Sequence, residues 1–596
     1  MAGPARTGVE AIGAILERTG VVLPLVILPI LLLAFLYPDR VVFTKPLRPG
    51  LAQPSGALPL IGHTLQSLRR LFVGQELEAM LKNARRSALS GGQFSILGQG
   101  NALFLSRPEY IEAIQKTHFD NFVKGAFFRA RLEDVLGQNG IFIADGQIWR
   151  HARKTASHIF AAGQFRNWVQ VVVHEELDKI VSILDAASTT TLTSTGSTPR
   201  QDSDKVSAGI ITVPDLFFRY TLSSFSRMAF SSDVGCLTHD PACLKTPVPF
   251  ATAFDYAQVV INKRVLMPAF RMIEAINGTG KRMKKATATI REFAGGIIEQ
   301  RLRNAETQAP NHEHGSIAKL AQKDGKDLLD LFLESSQDRE ELLTVVLNFL
   351  IAGRDTTAQL LSWFFYEMMA HPEHLDEIRR ELEEVLGDCP AEGYRLPYDR
   401  MRDVPYTFAC ITEALRLHPS VPKNAKRCIK DTLLVPSGPN PTRLPPLQVY
   451  KGESVGWSDW VMARLPEVWG PDCEEYKPSR FLEEEVDSAT GVKRRTVRQY
   501  SQWQQHMFNG GPRLCLGMNL ANYEALSLVA TVVPLFDFRW ATPEQGQTVS
   551  WPPKYISSLT HPMDPYKVEF RRRAPRRAQG VRALHFGRDG NEVDSE

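Results

Sequence analysis

The chain has 596 residues, 43% of them hydrophobic, so it is long enough to bury a large core in one or several domains. Its 70 lysines and arginines nearly balance its 66 aspartates and glutamates, and the formal charge of +4 gives no overall field that favours nucleic acid as a partner. The 7 cysteines are odd in number and lack Cys-x-x-Cys spacing, which excludes a disulfide framework and a zinc site and favours a reducing compartment.

The first predicted element is an uncharged run over residues 21–37 that is rich in Leu, Ile and Val. It approaches the length that a helix needs to cross a bilayer, and no small-x-small cleavage site follows it. Basic residues such as Lys45 and Arg48 outnumber those just before the run, which favours a cytosolic location for the rest of the chain. We therefore predict a membrane anchor in residues 1–40, with a cleaved signal peptide as the alternative.

Composition suggests boundaries for the rest of the chain. The prolines of residues 41–65 predict a stiff, extended linker, and residues 66–570 form the predicted body. Two polar segments, residues 186–203 and 304–326, are expected to be surface loops. The arginine-rich residues 571–596 are expected to be a solvated, flexible tail.

Trp149 and Arg153 are spaced i, i+4 within residues 140–154, so a helix there presents both side chains on one face. Taken alone, this pattern is typical of an ordinary amphipathic helix with an exposed arginine.

Residues 338–371 are apolar nearly all round and predict one long helix that crosses the body of the protein. Asp338 is a candidate N-cap, and Pro372 ends the helix.

The middle of this helix contains residues that are costly in a buried position. Gly353 costs about 1 kcal/mol relative to alanine, and an unpaired buried carboxylate at Asp355 costs more. A functional role for Asp355 and Thr356 would explain these residues. The alternative is a Thr356 hydroxyl bonded back to its own helix, beside an Asp355 whose charge is offset by Arg354.

Glu413 and Arg416 are spaced i, i+3 on a further predicted helix. Such a pair is usually an exposed ion pair that contributes little to stability. Lys426 and Arg427 follow side by side, and Arg480 stands in a later Pro-Ser-Arg-Phe segment.

The most specific pattern is the loop over residues 508–517, Phe-Asn-Gly-Gly-Pro-Arg-Leu-Cys-Leu-Gly. Cys515 lies between glycine turns, two residues after Arg513. Cationic neighbours and free backbone N–H groups lower the pKa of a thiol, so we expect a thiolate, the form that ligates metal. The alternative is a buried structural cysteine.

The spacing Phe-x-x-Gly-x-Arg-x-Cys-x-Gly resembles the haem-binding loop of the cytochrome P450 family, and the preceding motifs follow in that family's order. The resemblance implies a mainly α fold with a small β portion and a haem between the long central helix and the cysteine loop. It implies haem b as cofactor, Cys515 as the axial iron ligand and O₂ as co-substrate.

The resemblance also implies roles for the residues of the loop and its surroundings. Phe508 packs against the sulfur, Gly511 lets the loop turn under the haem, and Gly517 lets the next helix approach closely. The expected partners of the haem propionates are Trp149, Arg153, Arg513 and one of Lys426 or Arg427, with the register between the last two open.

In the long helix, the resemblance implies a local widening that makes room for O₂, with Asp355 and Thr356 passing protons. Glu413, Arg416 and Arg480 are implied to form a structural triad behind the haem loop. Ser479 replaces the family's commoner glutamate, which is expected to leave Arg480 with one carboxylate neighbour fewer.

No Gly-rich dinucleotide fingerprint and no flavin domain are recognisable, so electrons from NADPH are expected to come from a separate flavoprotein reductase, with cytochrome b5 as a further candidate partner. The expected location is the endoplasmic reticulum membrane, with the catalytic domain facing the cytosol. The other expected partners are the lipid bilayer and a hydrophobic small-molecule substrate.

Residues 121–125, residues 140–160 and the haem loop look most like the fungal and plant branch that hydroxylates long-chain fatty acids and alkanes at or near the terminal carbon. Some relatives in this branch carry a glutamate esterified to the haem where this chain has Ala352, so we expect no such bond. Candidates for lining an acyl channel are Phe127, Phe128, Leu350, Ala352 and Val421. The alternatives are hydroxylation of terpenoids, steroids or polycyclic aromatics, a haem-thiolate isomerase, and a non-catalytic membrane haem protein.

Overall fold

A computed structural model of the chain describes residues 47–58, 61–160, 168–193, 210–307, 327–336, 338–436, 444–486, 493–541 and 565–574. The fold is mainly α-helical with small sheets, as predicted. The helices are α1 (Thr64–Val73), α2 (Glu76–Arg85), α3 (Pro108–Glu112), α4 (Gly125–Leu136), α5 (Gly146–Ser157), α6 (Gln170–Thr193), α7 (Val213–Phe230), α8 (Pro249–Leu266), α9 (Phe270–Ile276), α10 (Thr279–Thr307), α11 (Leu328–Leu333), α12 (Arg339–Ala370), α13 (Glu373–Leu386), α14 (Pro405–Leu417), α15 (Asp459–Met462), α16 (Pro466–Trp469) and α17 (Met518–Leu535).

Among the described residues, the strands are short and form four sheets. They are β1 (Gly91–Ile96), β2 (Gly100–Leu105), β3 (Phe122–Val123), β4 (Ile210–Thr212), β5 (Asn424–Cys428), β6 (Thr432–Leu434), β7 (Leu447–Val449), β8 (Ser454–Trp457), β9 (Leu482–Val486), β10 (Lys493–Val497), β11 (Phe536–Trp540) and β12 (Lys567–Arg572). The largest sheet has the order β1-β2-β8-β5-β3, with β2 and β8 parallel and the other neighbours antiparallel.

The long helix predicted for residues 338–371 is confirmed as α12, which has 32 residues. The Asp338 side chain accepts a hydrogen bond from the backbone N–H of Glu340 (2.9 Å) and caps the first turn. Helices α7, α10, α14 and α17 pack around α12 and bury most of its side chains. A helix that is apolar nearly all round is stable only in such a central position.

Both predicted loops are partly wrong. Helix α6 continues to Thr193, so residues 186–193 are helical. The Ser188 hydroxyl is 2.8 Å from the carbonyl oxygen of Leu184 and 3.1 Å from that of Phe570 in β12. This hydroxyl therefore has hydrogen-bond acceptors both in its own helix and in the neighbouring strand. Helix α10 continues to Thr307, and the remainders of both segments lie outside the described residues.

The described part of the predicted linker packs against the body and is not a free spacer. Arg48 pairs with Glu453 (2.6 Å), Leu51 is buried in a core cluster, and Ala52 forms a β-bridge with Gly92. The predicted anchor lies outside the described residues. Within the part of the chain that the structure describes, no helix is both long enough and apolar enough to cross a membrane.

The start of the predicted tail belongs to the sheet formed by β11, β12 and β4. Strand β12 ends at Arg572, which pairs with Asp185 (2.5 Å), and Arg573 pairs with Asp537 (3.0 Å). Residues 575–596 lie outside the described residues.

Candidate functional site

The loop that carries Cys515 is held by backbone geometry. A short helical turn ends at Phe508, whose carbonyl oxygen accepts a hydrogen bond from the N–H of Cys515 (2.9 Å). Gly511 has a φ of +61°, and a Cβ there would lie 2.9 Å from the carbonyl oxygen of Gln115, so this turn requires glycine. Helix α17 begins at Met518, and the cysteine therefore has a fixed place just before its first turn.

All seven cysteines are free, and Cys515 has an exposed side chain. The surrounding protein nevertheless desolvates its thiol and raises the pKa, while the N–H of Gly517 and the charge of Arg153 lower it. The sulfur is therefore accessible although the surrounding protein desolvates it. The expectation of a lowered thiol pKa is wrong for the polypeptide alone, because desolvation outweighs both stabilising groups.

The sequence suggested that Arg513 is the cation that acts on the sulfur of Cys515, but the Arg513 side chain contacts other groups. It donates to the carbonyl oxygen of Ala144 (2.7 Å) and to Asp145 (3.2 Å), and its guanidinium lies 4.6 Å from the centre of the Trp149 ring. The cation that acts on the thiol is Arg153, which donates to the carbonyl oxygen of Leu514 (2.7 Å).

The two remaining loop positions have different surroundings. Phe508 is partly buried and packs against the main core. A Cβ at Gly517 would make only ordinary contacts, 3.7 Å from the Phe160 ring and 4.0 Å from the sulfur of Cys515. The described polypeptide therefore gives no steric reason for glycine at position 517.

A cluster of buried cations lies beside the loop. Burial and the charge of Arg513 lower the pKa of Lys124 to about 7 and that of Lys426 to about 7. Burial also lowers the pKa of Arg513 to about 10, and its Nε is buried without a hydrogen-bond partner among the described residues. Asp145 raises the pKa of all three cations and Asp120 also raises that of Lys426, and a bound anionic group would stabilise their charged forms further.

Strand register places Lys426 and Arg427 on different sides of β5. Successive side chains of β5 point to opposite faces. Lys426 faces the cation cluster, with its ammonium 4.4 Å from the centre of the Phe119 ring. Arg427 instead donates to the carbonyl oxygen of Gln99 (3.1 Å) and to Ser454 (3.3 Å).

Sequence reasoning missed Lys124 as a member of this cluster. Val123 of β3 lies opposite Arg427 of β5, and this antiparallel pairing brings Lys124 to Asn424, to which it donates at 2.5 Å. Lys124 and Asn424 are 300 residues apart in the chain, so no local sequence pattern signals this contact.

The sequence left two arrangements open for Thr356, a functional hydroxyl or one bonded back to its own helix. The structure shows the second arrangement. The Thr356 hydroxyl donates to the carbonyl oxygen of Ala352 (2.7 Å). Asp355 is 1% exposed, lies 2.9 Å from Arg354, and accepts a hydrogen bond from Gln258 (2.5 Å). Its charge is therefore offset within the protein.

Two expectations about this segment need correction. Gly353 needs no functional explanation, because a Cβ there would lie 2.2 Å from the Phe225 ring of α7. The expected widening is absent from the described helix, which is α-helical throughout. Hydroxyl groups instead reach its carbonyl oxygens from outside: Thr221 donates to that of Arg354 (2.6 Å) and Ser420 to that of Thr356 (2.8 Å).

The structure brings Glu413, Arg416 and Arg480 together. Arg416 donates to both carboxylate oxygens of Glu413 (2.6 and 2.9 Å), and Arg480 donates to one of them (3.2 Å). Ser479 supplies no carboxylate to Arg480, but Asp472 accepts from Arg480 at 2.6 Å, so Arg480 has a second carboxylate partner beside Glu413.

The candidate substrate residues differ in accessibility. Phe127, Phe128, Ala352 and Val421 are partly exposed. Leu350 is fully buried in the main core, so the suggestion that it lines a channel is wrong for this structure. One residue along, Ile351 is partly exposed on a different side of α12, as the helical rotation requires.

The residues present fit a haem. A cysteine held in a fixed loop would supply the soft anionic ligand that binds haem iron, and the cations beside it would balance two propionates. Trp149, Arg153, Lys124, Lys426 and Arg513 are the residues that would hold the propionates. When bound, the haem supplies oxygen activation and insertion of one oxygen atom. This fold and site define the haem-thiolate class of proteins.

Comparison with known proteins agrees: the family model for Cytochrome P450 matches residues 53–570. The chain belongs to the cytochrome P450 family. It is an oxidoreductase of the haem-thiolate monooxygenase type, which uses haem, O₂ and electrons from a redox partner and acts on a hydrophobic substrate.

Two relatives illustrate the range of similarity. The chain is 35% identical over 526 residues to Cytochrome P450 monooxygenase cyp1 of Mycosarcoma maydis, covering 87% of this chain and 74% of that protein. It is 30% identical over 488 residues to Cytochrome P450 94C1 of Arabidopsis thaliana, covering 80% and 86%.

Proposed function

We propose that this monooxygenase hydroxylates long-chain fatty acids or alkanes at or near the terminal carbon, with fatty acids as the preferred class. The likeness of residues 121–125 and 140–160 to the branch with that activity supports the proposal. The observation that carries it is the environment of Arg131 on α4.

Arg131 is a partly buried cation among aromatic side chains. Its guanidinium lies 3.5 Å from the centre of the Phe127 ring, which packs edge-on against Phe128. It donates to the carbonyl oxygens of Arg264 (2.8 Å) and Phe127 (2.9 Å) and forms no ion pair with any described residue. Burial, Arg264 and Arg427 lower its pKa to about 10.

A cation that other cations destabilise, with apolar surfaces beside it, suits a carboxylate at the end of an alkyl chain. Lys124 immediately precedes α4, and at the helical rise of 1.5 Å per residue Arg131 lies about 10 Å farther along the axis. A carboxylate held at Arg131 would be separated from the cation cluster, leaving the far end of its chain to react. Arg131 would not increase the binding affinity of neutral terpenoids, steroids or polycyclic aromatics, because they carry no carboxylate.

Spectral titration of the purified haem protein tests the substrate class. Fatty acids of increasing chain length should perturb the haem spectrum, and their methyl esters should bind about tenfold or more weakly, because a charge-assisted hydrogen bond contributes about 1.5–3 kcal/mol. Arg131→Gln should abolish the difference between acid and ester. Arg271→Gln is the control, because Arg271 is 68% exposed and pairs with Glu133.

Tight binding of terpenoids, steroids or aromatics with no response to any fatty acid would reject the proposed substrate class. Equal affinity of acid and ester in the unaltered protein would reject the role of Arg131.

Within the active site we propose Cys515 as the axial iron ligand and Asp355 and Thr356 as the residues that pass protons. For this role, the Thr356 hydroxyl turns from Ala352 towards water, and Asp355 exchanges its contact with Arg354 for one with solvent. Replacing Cys515 with Ser should abolish the thiolate-type absorption of the reduced carbon monoxide complex. Retention of that absorption would exclude Cys515 as the ligand.

We further propose that the cofactor is haem b and that NADPH electrons arrive through a separate flavoprotein reductase, with cytochrome b5 as an accessory donor. Residues 1–40 hold the chain at the endoplasmic reticulum membrane with the catalytic domain in the cytosol. The apolar residues 21–37 and the basic residues after them support this placement. Deletion of residues 1–40 should move the protein from membranes to the soluble fraction after cell lysis.

A further inference from the structure

A buried histidine lies just before the cysteine loop and contacts two remote segments of the chain. His506 is 1% exposed, and its Nδ1 lies 2.6 Å from Oδ1 of Asp459, the first residue of α15. Its Nε2 lies 3.1 Å from Oε1 of Gln115, and both partners are also buried. A buried polar ring needs hydrogen-bond partners, so these two contacts fix the orientation of the imidazole.

The contact with Gln115 depends on an unusual backbone turn. Residues 113–117 form a π-helical turn, in which the N–H of His118 donates to the carbonyl oxygen five residues earlier (2.8 Å). Such turns are rare and are frequently found at functional sites. This turn places the Gln115 side chain beside His506 and its backbone carbonyl oxygen beside Gly511, where an added Cβ would lie 2.9 Å from that oxygen. Gln115 therefore contacts both His506 and the cysteine loop.

The backbone between His506 and the cysteine is strained at one residue. Asn509 has a φ of +65° and a ψ of −172°, a combination that is essentially confined to glycine. Its N–H donates to the carbonyl oxygen of His506 (2.7 Å). The preceding carbonyl oxygen, that of Phe508, accepts from the N–H of Cys515 (2.9 Å). A strained conformation of this kind persists only where the surrounding structure holds it.

We propose that His506 is a positioning residue for the Cys515 loop. Its two ring contacts hold the turn over residues 506–508 against the strain at Asn509, and the carbonyl oxygen at the end of this turn holds the N–H of Cys515. Without the ring contacts the turn relaxes, and the hydrogen bond from Cys515 weakens. The proposal rests on the monooxygenase assignment and not on the proposed substrate.

The persistence of thiolate ligation in the full-length haem protein tests this role. His506→Phe keeps a ring between Trp457 and Trp503, whose ring centres lie 6.3 and 6.2 Å from that of His506, and removes both hydrogen bonds. The thiolate-type absorption of the reduced carbon monoxide complex should decay about tenfold faster in this variant than in the unaltered protein, because two buried hydrogen bonds are lost. An unchanged rate of decay would overturn the proposal.

His418→Phe is the matched control. His418 is buried directly after α14, its Nε2 lies 2.6 Å from Oε1 of Glu367, and its ring stacks on that of Trp363 with the centres 3.8 Å apart. This variant also loses a buried contact between a histidine and a carboxyl group, but its absorption should decay as slowly as that of the unaltered protein. Equal acceleration in both variants would mean that general loss of stability sets the rate, which would also overturn the proposal.

Relief of the backbone strain should rescue the His506→Phe protein. Glycine adopts a positive φ without steric cost, so adding Asn509→Gly removes the strain that the ring contacts oppose. The decay of the thiolate-type absorption should then return towards the rate of the unaltered protein. A general structural role for His506 predicts no such recovery, and an equally fast decay in the double variant would contradict the proposal.

Amide hydrogen exchange of the same haem proteins locates the change. Peptides that cover residues 508–517 should exchange faster in His506→Phe, whereas peptides from α6 should keep their protection. Unchanged protection of the loop would count against the proposal.

If His506→Phe fails to bind haem, Gln115→Met decides. This substitution removes one of the two ring contacts with a side chain of similar length, so the thiolate-type absorption should again decay faster. A rate equal to that of the unaltered protein would overturn the proposal. None of these measurements uses a substrate, so failure of the fatty acid proposal would leave this result intact.

Discussion

The hydroxyl of Thr356 donates a hydrogen bond to the carbonyl oxygen of Ala352, one turn earlier in α12, at 2.7 Å. The side chain of Thr356 is nevertheless partly exposed, whereas neighbouring Thr357 is 3% exposed. Two adjacent threonines of the same helix thus differ in solvent access, so a proton-passing role is proposed for Thr356 and not for Thr357.

Thr356→Val should keep the thiolate-type spectrum and NADPH consumption but lose product, because the hydroxyl that passes protons is replaced by a methyl group of similar size. We expect product formation to fall at least about tenfold relative to NADPH oxidised. Coupled assays of NADPH, hydrogen peroxide and product measure this. Thr357→Val is the matched control, and equal uncoupling in both variants would contradict the assignment.

Lys124→Gln and Lys426→Gln should each speed haem loss by roughly tenfold, because hydrogen bonds to charged groups contribute about 1.5–3 kcal/mol. Arg427→Gln should leave the rate nearly unchanged, since its guanidinium faces Gln99 and Ser454. Transfer of haem to an excess of apomyoglobin measures the rate. Faster haem loss from Arg427→Gln than from Lys426→Gln would mean that Arg427, and not Lys426, helps to hold the haem.

Gly353→Ala should lower the free energy of unfolding by about 1–3 kcal/mol, because its methyl group would overlap the Phe225 ring. Denaturant titration of the haem protein measures the change, and adding Phe225→Leu should recover part of the loss. Gly296→Ala in α10 is the control: nothing lies within 4 Å of the added Cβ, and it should stabilise by about 0.5–1 kcal/mol. Equal effects of both substitutions would argue against the packing explanation.

Asp472 should contribute a pH-dependent stability that Asp472→Asn removes. Hydrogen bonds from Lys477 and Arg480 lower the pKa of Asp472 to about 2. A carboxyl with a depressed folded-state pKa stabilises above its unfolded pKa and loses that contribution as pH falls through the folded value. The difference in melting temperature between the two proteins should be constant above about pH 5 and narrow towards about pH 3. A difference that stays constant over this range would refute the ion-pair contribution.

Elements that depend on neighbours in the sequence could be predicted. The apolar pattern and the caps Asp338 and Pro372 predicted α12 almost to the residue, and the i, i+4 spacing of Trp149 and Arg153 predicted α5. Helix formation is set by contacts within three or four residues, so these patterns are readable locally. The polar end of α6 was missed because its helix is stabilised by β12, which is remote in sequence.

By itself, the sequence determined the family-type cysteine loop, the central helix and the kind of cofactor that their residues suit. Only the tertiary structure decided which cations meet near the loop, because pairing of β3 with β5 selects the face of Lys426 and brings Lys124 beside it. The tertiary structure also decided that Gly353 leaves room for the Phe225 ring and that Asp472 accepts a hydrogen bond from Arg480. These relationships join residues far apart in the chain, and their geometry exists only once the helices and strands have packed.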